Sequence, residues 1–513
     1  MVITTIDMRV LETNTVALGI PLTLLMEAAG KSVADTISSE ISPGEAGRVV
    51  VLVGKGGNGG DGLVAARYLA NRGYKVEVIP AYSPSEIEHP DTLLNYRVLS
   101  RLDTVKIHKP NTLEPIREAG VIIDGLLGTG IRGELRDPIK SLVVEANNSK
   151  AQLRVAIDTP TGLNPDTGEV HGIAFRADIT VTFHDVKPGL LKKPELTGRI
   201  VIANIGIPPE AWKYVGPGDV IHRVPPRPRD IYKGKAGRVL VIGGSKRYTG
   251  APALSGLAAL ATGADLAFIA VPENIRDIVA SYSPELITLP YRGEYLTLDA
   301  IDTIIEYAKT VRPHVAVIGP GLGDESETLE TVKELVPKLL GMGIKLVIDA
   351  DALKVAGDLR GVFHGNAVLT PHRGEFKRIT GIGLSGNPER DASIVAKYAS
   401  EFDAVILLKA PIDIISNGSS TRLNKTGNPY MSTGGTGDVL TGIVAALLAW
   451  TGDPFTSACV AAYVNGLAGD YSLKKYSGVS PMKMINLIPE IMRNPLTIHR
   501  EVYGIDPVTA EKH

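Results

Sequence analysis

Short runs of β-branched and other apolar residues recur along the chain, with longer helix-like stretches between them. The runs are 48–53, 75–79, 120–123 and 154–157, followed by 238–242, 267–271, 315–318, 345–348 and 404–408. Most are unbroken apolar runs, which is the pattern of strands buried on both faces. Because helices alternate with them, the sequence predicts an α/β fold with parallel sheets, whose ligands gather at the carboxyl ends of the strands.

The two series of runs are separated by a segment rich in proline. The chain has 513 residues, more than one ordinary hydrophobic core supports. We predict that the proline-rich connector 207–229 forms neither helix nor strand. The sequence therefore predicts two α/β domains, an N-terminal one over 1–220 and a C-terminal one over 221–513.

Composition narrows the class of protein. The 54 Lys and Arg residues are balanced by 56 Asp and Glu residues, which predicts no nucleic-acid partner. The apolar stretches 253–271 and 439–469 are interrupted by glycine and polar residues, so we predict buried helices and no membrane span. The single Cys459 is predicted to be a buried thiol in a reducing compartment. Since no signal peptide is recognisable, we expect a cytoplasmic protein.

The segment Gly434-Gly-Thr-Gly-Asp438 precedes a long apolar run and is the strongest indication of chemistry. Bare glycine backbone at a helix N-terminus binds phosphate through its free N–H groups. A carboxylate there would repel the phosphate, unless it takes the proton of a hydroxyl group that attacks it. Although glycine before aspartate is by itself typical of a capped turn, the whole block indicates a kinase-type site with Asp438 as the base.

Polar motifs in the first half also follow predicted strands. They are the glycine loop 54–62, the segment 124–130 that begins with Asp124, and the segment 158–162 that begins with Asp158. The loop contains G-x-G-x-x-G, and Glu77 ends the next strand, which superficially predicts a dehydrogenase. However, Asn58 and Asp61 are atypical of that fingerprint. Two acids and an Asn-Gly-Gly-Asp loop at one sheet edge favour another kind of site.

Together with Glu12-x-Asn14 and Leu25-Met-Glu-Ala-Ala-Gly30, these motifs resemble the NAD(P)H-hydrate epimerase family, which has a Rossmann-like fold without a redox role. The resemblance implies that the hydrated nucleotide contacts Gly57, Asn58, Gly59, Gly60, Asp61, Gly128, Thr129, Gly130, Ile131, Arg132, Gly133, Glu134 and Asp158. It further implies a potassium ion held by Asn58, Asp124 and Thr161, with Asp124 as the acid–base residue. Gly57 departs from the family loop, which usually has asparagine there.

The second half contains further motifs, each of which has a structural explanation when taken alone. They are a strand followed by Gly243-Gly-Ser245, the turn Gly319-Pro-Gly-Leu-Gly323, the pair Asp349 and Asp351, the segment 369–376 with His372, and the segment 409–413. In this order, before the 434–438 block, they resemble the ADP/ATP-dependent NAD(P)H-hydrate dehydratases, which are ribokinase-like. The resemblance implies that the hydrated cofactor contacts Ala253, His372, Asp438 and Gly321 or Gly323. The adenine nucleotide would contact Lys409, Ala410, Pro411, Ile412, Asp413 and Gly437.

Both resemblances together imply a fused enzyme that repairs hydrated nicotinamide cofactors. The first domain would interconvert the R and S forms of NADHX and NADPHX. The second would dehydrate the S form to NAD(P)H while ADP becomes AMP and phosphate. Asp438 would deprotonate the ring hydroxyl as it attacks the terminal phosphoryl group, whose charge magnesium neutralises. ADP is expected as the donor, ATP remains open, and a homo-oligomer is expected.

Other functions remain open at this point. A small-molecule kinase, such as a vitamin-precursor kinase, would use the same Gly-Thr-Gly-Asp chemistry and keep the phosphate on its product. Its first half would then be a nucleotide-binding sensor domain. Asp124, Asn58 and Thr161 argue against a sensor, because a domain that only binds needs no acid. A dehydrogenase is the least favoured alternative.

Overall fold

The computed structural model describes residues 2–130 and 133–504, which form two compact units that divide between Pro208 and Pro209. The strands are β1 Arg48–Val53, β2 Lys75–Pro80, β3 Val105–Ile107, β4 Val121–Gly125, β5 Leu153–Ile157, β6 Ile179–Phe183, β7 Arg199–Ala203, β8 Arg238–Ile242, β9 Leu266–Pro272, β10 Leu286–Tyr291, β11 Val315–Ile318, β12 Lys345–Ile348, β13 Ala367–Leu369, β14 Val405–Leu408, β15 Asp413–Ser416 and β16 Thr421–Asn424. The first seven belong to the first unit and the other nine to the second.

Helices surround both sheets. The α-helices are α1 Thr5–Ala17, α2 Leu22–Glu40, α3 Pro43–Ala46, α4 Gly57–Asn71, α5 Pro90–Leu99, α6 Glu114–Arg117, α7 Ile139–Asn148, α8 Pro194–Thr197, α9 Glu210–Lys213, α10 Pro217–Arg223, α11 Gly250–Thr262, α12 Arg276–Ser281, α13 Ala300–Val311, α14 Ser326–Gly341, α15 Arg373–Thr380, α16 Pro388–Phe402, α17 Thr436–Thr451, α18 Pro454–Tyr476, α19 Pro481–Arg493 and α20 Pro495–Tyr503. The 3-10 helices are Pro84–Glu86, Leu190–Lys192, Glu273–Ile275, Ala350–Leu359 and Pro429–Ser432.

The first sheet is wholly parallel, with strand order β3-β2-β1-β4-β5-β6-β7. The chain leaves β1 towards one edge and returns to the other side of β1 at β4. In such a sheet the loops after these two strands separate and open a crevice at the carboxyl edge. The loops also touch at their base, because a Cβ on Gly54 would lie 1.8 Å from the carbonyl oxygen of Leu126. Glycine is therefore required at position 54.

The second sheet has the order β10-β9-β8-β11-β12-β13-β14-β15-β16. Strands β8 to β14 run parallel, whereas β15 and β16 extend the edge as an antiparallel pair. The order reverses between β8 and β11, so a ligand crevice is again expected at the carboxyl edge. These sheets and their helices confirm the predicted α/β fold class.

The apolar stretches predicted to be buried helices form α11, β9, α17 and much of α18. Within residues 2–130 and 133–504, no helix is both long enough and apolar enough to cross a membrane. Helices α11 and α17 approach closely at Gly442, where a Cβ would stand 2.2 Å from the carbonyl oxygen of Ser255. Cys459 is buried in α18, as predicted, and burial raises the pKa of its thiol to about 12.

The prediction that the proline-rich connector forms neither helix nor strand is wrong. It contains α9 and α10, and Pro217 occupies the first turn of α10, where its missing N–H costs no hydrogen bond. This segment packs in the second unit: the N–H of Val215 donates to the oxygen of Leu423 at 2.8 Å. Buried Asp219 also pairs with Arg422 at 3.1 Å. The first compact unit accordingly ends at Pro208 rather than at 220.

Candidate active sites

A cleft of about 360 Å³ opens at the carboxyl edge of the first sheet. Seven residues predicted to contact the hydrated nucleotide line it: Gly57, Asn58, Asp61, Gly128, Thr129, Gly130 and Asp158. Its other lining residues are Arg9, Glu12, Leu22, Leu25, Met26, Ala29, Gly56, His89, Leu126, Leu127, Phe183 and Ile205. The glycine loop opens α4, so the helix N-terminus faces the site that the loop was predicted to form.

The other residues predicted to contact the hydrated nucleotide are not among the described residues that line this cleft. Gly59 and Gly60 lie in the first turn of α4 and are buried. A Cβ on Gly59 would lie 2.2 Å from the oxygen of Gly54, and one on Gly60 would lie 2.5 Å from the sulfur of Met26. Glycine at both positions thus allows neighbouring atoms to pack closely against the helix. Gly133 and Glu134 do not line the described cleft, while Ile131 and Arg132 lie outside the described residues.

Asp124, at the end of β4, is fully buried, and its carboxylate accepts three hydrogen bonds. Oδ1 accepts from the Thr161 hydroxyl at 2.7 Å and from the Leu126 N–H at 3.2 Å, and Oδ2 accepts from the Thr161 N–H at 2.8 Å. Asn58 joins the group by donating through Nδ2 to the oxygen of Leu127 at 3.2 Å. The three residues predicted to hold potassium therefore meet around the peptide of Leu127.

The atoms of this cluster that could bind a cation are carboxylate, hydroxyl, amide and carbonyl oxygens, which suit a hard cation. Burial raises the pKa of Asp124 to about 6, and the hydrogen bonds from Thr161 and Leu126 oppose that rise. No described basic side chain contributes to this shift, so a bound cation would supply the missing positive charge. Among the described residues, no group of three or more His, Cys, Asp and Glu side chains could hold a metal ion.

A second set of carboxylates faces the same cleft and was not predicted as a group. Burial, followed by the charge of Asp158, raises the pKa of Glu12 to about 7. Burial and the charges of Asp158 and Glu12 raise the pKa of Asp61 well above its ordinary value. Asp158 itself forms a hydrogen-bonded ion pair with the fully buried Lys187. Burial and the neighbouring carboxylate charges therefore make Glu12 and Asp61 harder to ionise than free carboxyl groups. Lys187 carried no sequence signal, although Glu12 belonged to a quoted motif.

The second unit contains a cavity of about 660 Å³ beside the N-terminus of α17. Six residues predicted as ligands line it: His372, Lys409, Ala410, Pro411, Asp413 and Gly437. Its other lining residues are Thr426, Gly427, Asn428, Pro429, Met431, Ser432, Thr436, Leu440, Asn465 and Gly466. Gly435 has a φ of +94°, and a Cβ there would lie 2.8 Å from Leu254 and Pro481. The glycine block is thus required to turn the chain into α17.

Asp438 stands in the first turn of α17 next to a buried ion pair. Lys409 Nζ donates to Oδ1 of Asp349 at 2.8 Å, and the hydroxyls of Thr370 and Thr441 donate to the same carboxylate at 2.7 and 2.8 Å. Burial would raise the pKa of Asp349, but the charge of Lys409 and these hydrogen bonds outweigh burial and lower it. Asp349 is therefore the ionised partner that keeps Lys409 charged inside the protein.

The environment of Asp438 raises the pKa of its carboxyl group, whereas that of Asp349 lowers it. Burial and the negative charge of Asp349 raise its pKa to about 7, and Lys409 only partly offsets them. A carboxylate with such a pKa both accepts a proton at neutral pH and releases it again, as a general base requires. Burial likewise raises the pKa of Asp413 to about 6, although Ala410 N–H and Asn424 Nδ2 donate to its carboxylate.

Five predicted ligands of this unit are not among the residues that line the cavity: Ala253, Gly321, Gly323, Ile412 and Asp438. Ala253 is buried in α11, two residues before Ser255, whose hydroxyl donates to the backbone oxygen of Asp438 at 3.0 Å. Gly321 and Gly323 follow β11 with positive φ. Ile412 packs against the hydrophobic core. His372, which does line the cavity, caps α15: its Nδ1 accepts from the N–H groups of Gly374 and Glu375 at 3.0 and 3.2 Å, while its Nε2 lies 3.4 Å from Oε1 of Glu375.

Comparisons with known proteins agree with this geometry. Residues 22–189 match the family model described as YjeF-related protein N-terminus, and residues 239–490 match the model described as NAD(P)H-hydrate dehydratase. The bifunctional NAD(P)H-hydrate repair enzyme Nnr of Hyperthermus butylicus is 46% identical over 96% of this chain and 93% of its own length. This chain belongs to the family of bifunctional NAD(P)H-hydrate repair enzymes. The Nnr protein of Pyrobaculum aerophilum is 44% identical over 96% of this chain and 98% of its own length.

Solved structures resemble the second half of this repair-enzyme chain. The ADP/ATP-dependent NAD(P)H-hydrate dehydratase from Bacillus subtilis, co-crystallised with ATP and Mg²⁺, is 26% identical, with a TM-score of 0.47. The match covers 55% of this chain and 98% of the Bacillus subtilis chain. Family membership confirms the resemblance predicted for both halves and does not favour the small-molecule kinase alternative.

Proposed function

We propose that the first unit interconverts the R and S forms of NADHX and NADPHX, and that the second dehydrates the S form to NAD(P)H with ADP as phosphoryl donor. The observation that carries the proposal is the position of Asp438, a carboxyl group with a pKa of about 7 at a glycine-rich helix N-terminus. A simple binding module has no need of a proton acceptor beside a phosphate site. Relatives of nearly full length with both units support the pairing of two activities.

In the second unit, this chain's residues divide the work of dehydration. The N–H groups at the start of α17 and the ammonium group of Lys409 bind the phosphates of the nucleotide. Asp438 takes the proton from the ring hydroxyl, whose oxygen then attacks the terminal phosphoryl group. The attack displaces AMP, so that phosphate replaces hydroxide as the leaving group on the ring. The lone pair of the ring nitrogen helps to expel phosphate, and loss of a proton from the adjacent ring carbon restores the dihydronicotinamide. Magnesium, when bound through the nucleotide phosphates, neutralises their charge; the described residues offer no separate carboxylate cluster for it.

In the first unit, epimerisation needs proton transfer but no electron carrier. The hydrated carbon bears both a hydroxyl group and the ring nitrogen, so opening and reclosing this hemiaminal exposes either face. We propose Asp124 as the acid–base residue, with Asn58, Asp124 and Thr161 holding a potassium ion that fixes the carboxylate and favours its charged form. Asp124 and Thr161 are both fully buried, and neither is among the residues that line the cleft.

The absorbance of NADH, followed on a mixture of NADHX epimers, tests both activities in one cuvette. We expect complete recovery with ADP and none without nucleotide, and substitution of ATP identifies the donor. Recovery that stops at the share of one epimer would show that the first unit only binds. If nucleotide is consumed with no NADH formed, the second unit is a kinase for another alcohol.

The two carboxyl groups predict different pH dependences for the two activities. Dehydration requires ionised Asp438, so kcat/KM for the S hydrate should fall about tenfold for each pH unit below about 7. Epimerisation should keep its rate at least down to about pH 6, because the pKa of Asp124 is about 6 without a cation and the charge of a bound potassium ion would lower it further. Rates measured between pH 5 and 8 on one preparation compare them directly. A shared midpoint would contradict the assignment of Asp438 and Asp124 as separate proton acceptors.

We further propose that the enzyme is a cytoplasmic homo-oligomer. Its single, buried thiol is compatible with a reducing compartment. Leu24 on α2 and Leu94 on α5 are more than half exposed and give the first unit apolar surface for self-association. Light scattering on the purified chain measures the oligomeric state, and a monomeric mass would contradict this part of the proposal.

A further inference from the structure

Glu12, on α1, places in the first cleft a carboxyl group that epimerisation by Asp124 alone does not use. Glu12 is partly exposed and lines the cleft together with Asp158 and Gly128. Its side chain therefore borders the space that a substrate would fill. Asp124, by contrast, is fully buried and is not among the residues that line the cleft. Of these two carboxyl groups, Glu12 is the one with direct access to a ligand.

Helix α1 is anchored to loops at the carboxyl edge of the sheet, which fixes the position of Glu12. The N–H and the hydroxyl of Thr5 donate to the carboxylate of Asp166 at 2.9 and 2.6 Å. The N–H of Ile3 donates to the oxygen of Val186 at 2.9 Å. Asp166 follows β5 and Val186 follows β6, so both anchors belong to loops at the edge where the cleft opens. Glu12 is thus presented from a fixed backbone.

Charges of both signs act on the carboxyl group of Glu12. Burial and the charge of Asp158 raise its pKa to about 7, while the charges of Lys187 and Arg9 oppose the rise. No hydrogen bond from the described residues contributes to this shift. Arg9 precedes Glu12 by three residues on the same face of α1 and also lines the cleft. Both the protonated and the charged form of Glu12 are therefore accessible near neutral pH.

Asp61, in α4, is a second carboxyl group of the cleft with a raised pKa, but its surroundings differ. Burial and the charges of Asp158 and Glu12 raise the pKa, and no cation of the described residues opposes them. Loss of its proton would leave a negative charge next to other carboxylates. Glu12 keeps Lys187 and Arg9 near its charged form. Because a proton that moves out and back requires both forms of its carrier, Glu12 is better suited to carry it.

Epimerisation moves two protons. Opening of the hemiaminal removes the hydroxyl proton, breaks the bond between the hydrated carbon and the ring nitrogen, and forms an aldehyde. The nitrogen keeps the electron pair of that bond and gains a proton. Rotation about the neighbouring carbon–carbon bond turns the other face of the aldehyde to the nitrogen, and closure reverses both proton transfers. The reaction therefore needs a proton acceptor at the oxygen and a proton donor at the nitrogen.

We propose that Glu12 is the second proton carrier of epimerisation, which protonates the ring nitrogen on opening and takes that proton back on closure. Asp124 then serves the hydroxyl group. The positive charges of Arg9 and Lys187 stabilise Glu12 while its proton is on the substrate. This inference rests on the proposed function, because it concerns epimerisation in the same cleft.

Glu12→Gln in the full-length chain tests the proposal. Conversion of pure S hydrate of NADH to the R form is followed by proton NMR without nucleotide. We expect kcat to fall about 10²-fold and KM to stay within about twofold, because the amide keeps the size of the side chain but cannot deliver a proton. The unmodified protein should lose rate about tenfold for each pH unit above about 7, where Glu12 loses its proton. This alkaline decline should be absent from Glu12→Gln.

Two further variants serve as controls. Glu12→Asp restores a carboxyl group on a shorter side chain, so it should recover part of the rate and the alkaline decline. Glu114→Gln makes the same change as Glu12→Gln at an exposed position of α6 and should exchange the epimers normally.

The outcomes separate a proton carrier from a residue that only binds or packs. Exchange at the normal rate in Glu12→Gln would overturn the proposal. A raised KM with an unchanged alkaline decline would do the same, and so would loss of exchange at every pH in both Glu12→Gln and Glu12→Asp. A decline that disappears in Asp61→Asn but persists in Glu12→Gln would assign the proton to Asp61 instead. An unmodified protein that exchanges no epimers would refute the proposed function itself, whereas the other outcomes concern Glu12 alone.

Discussion

Replacing Asp438 with asparagine should lower the rate of dehydration about 10³-fold while ADP binding persists. An amide cannot accept the hydroxyl proton, and general bases typically contribute factors of this size. The backbone N–H groups of α17 and the ammonium group of Lys409, which we propose as the phosphate-binding groups, remain in place. The neutral side chain also removes a negative charge close to Asp349. Formation of NADH from the S hydrate measures the rate, and calorimetric titration with ADP measures binding.

Epimerisation in the same chain is the internal control for this substitution. It depends on the first unit and should proceed at the rate of the unmodified protein. Asp470→Asn is unsuitable as a control, since Asp470 fixes Gly427 and Asn428 in the cavity wall at 2.8 Å. The exposed Asp277, on α12, provides the matched change, and Asp277→Asn should leave both activities intact. Normal turnover by Asp438→Asn would refute the assignment of the base.

Replacing Asp124 with asparagine should lower epimerisation by about 10²- to 10⁴-fold and leave dehydration of pure S hydrate unchanged. The carboxylate accepts from two donors of Thr161 and from the Leu126 N–H. An asparagine amide group would set a donor against at least one of these donors. It would also remove the charge that a potassium ion needs. The exchange between R and S forms, followed by proton NMR in the absence of nucleotide, measures the effect.

The dehydratase unit serves as the control for folding in this second experiment. The exposed Asp103, which follows α5, offers the matched change, and Asp103→Asn should epimerise normally. Dependence on potassium adds a separate measurement: titration with the ion should accelerate the unmodified protein but not Asp124→Asn. Unimpaired exchange by Asp124→Asn would transfer the acid–base role to another carboxyl group of the cleft, of which Glu12 and Asp61 are nearest in character.

The sequence predicted the central strands because a strand buried on both faces is written as an unbroken apolar run. β1, β8, β11 and β12 have the bounds expected from their composition. β3 and β13 are missing from the expectations because three residues are too few for a pattern. β7 lies at a sheet edge, is partly exposed and is also missing from the expectations, although four of its five residues are apolar. The prediction for the proline-rich connector was wrong for another reason: proline is well tolerated in the first turn of a helix.

The candidate sites were likewise predicted only in part from the sequence. Within each unit, motif residues at the ends of central strands come together because parallel strands share a carboxyl edge. Asp124 meets Thr161 in the first unit, and Lys409 meets Asp349 in the second. The Lys187–Asp158 pair joins residues whose proximity depends on how β6 turns back after Phe183, which no local pattern encodes.

The close approach of α11 and α17 at Gly442 has a consequence for how the enzyme can vary. Gly442 lies one helical turn after Asp438, and the Ser255 hydroxyl joins the two helices at the same level. Any side chain at 442 would push α17 away from α11 and carry the base with it. In a survey of random substitutions, position 442 would consequently be as intolerant as the active site, although it never meets a ligand. Intolerance at this position would reflect helix packing rather than chemistry.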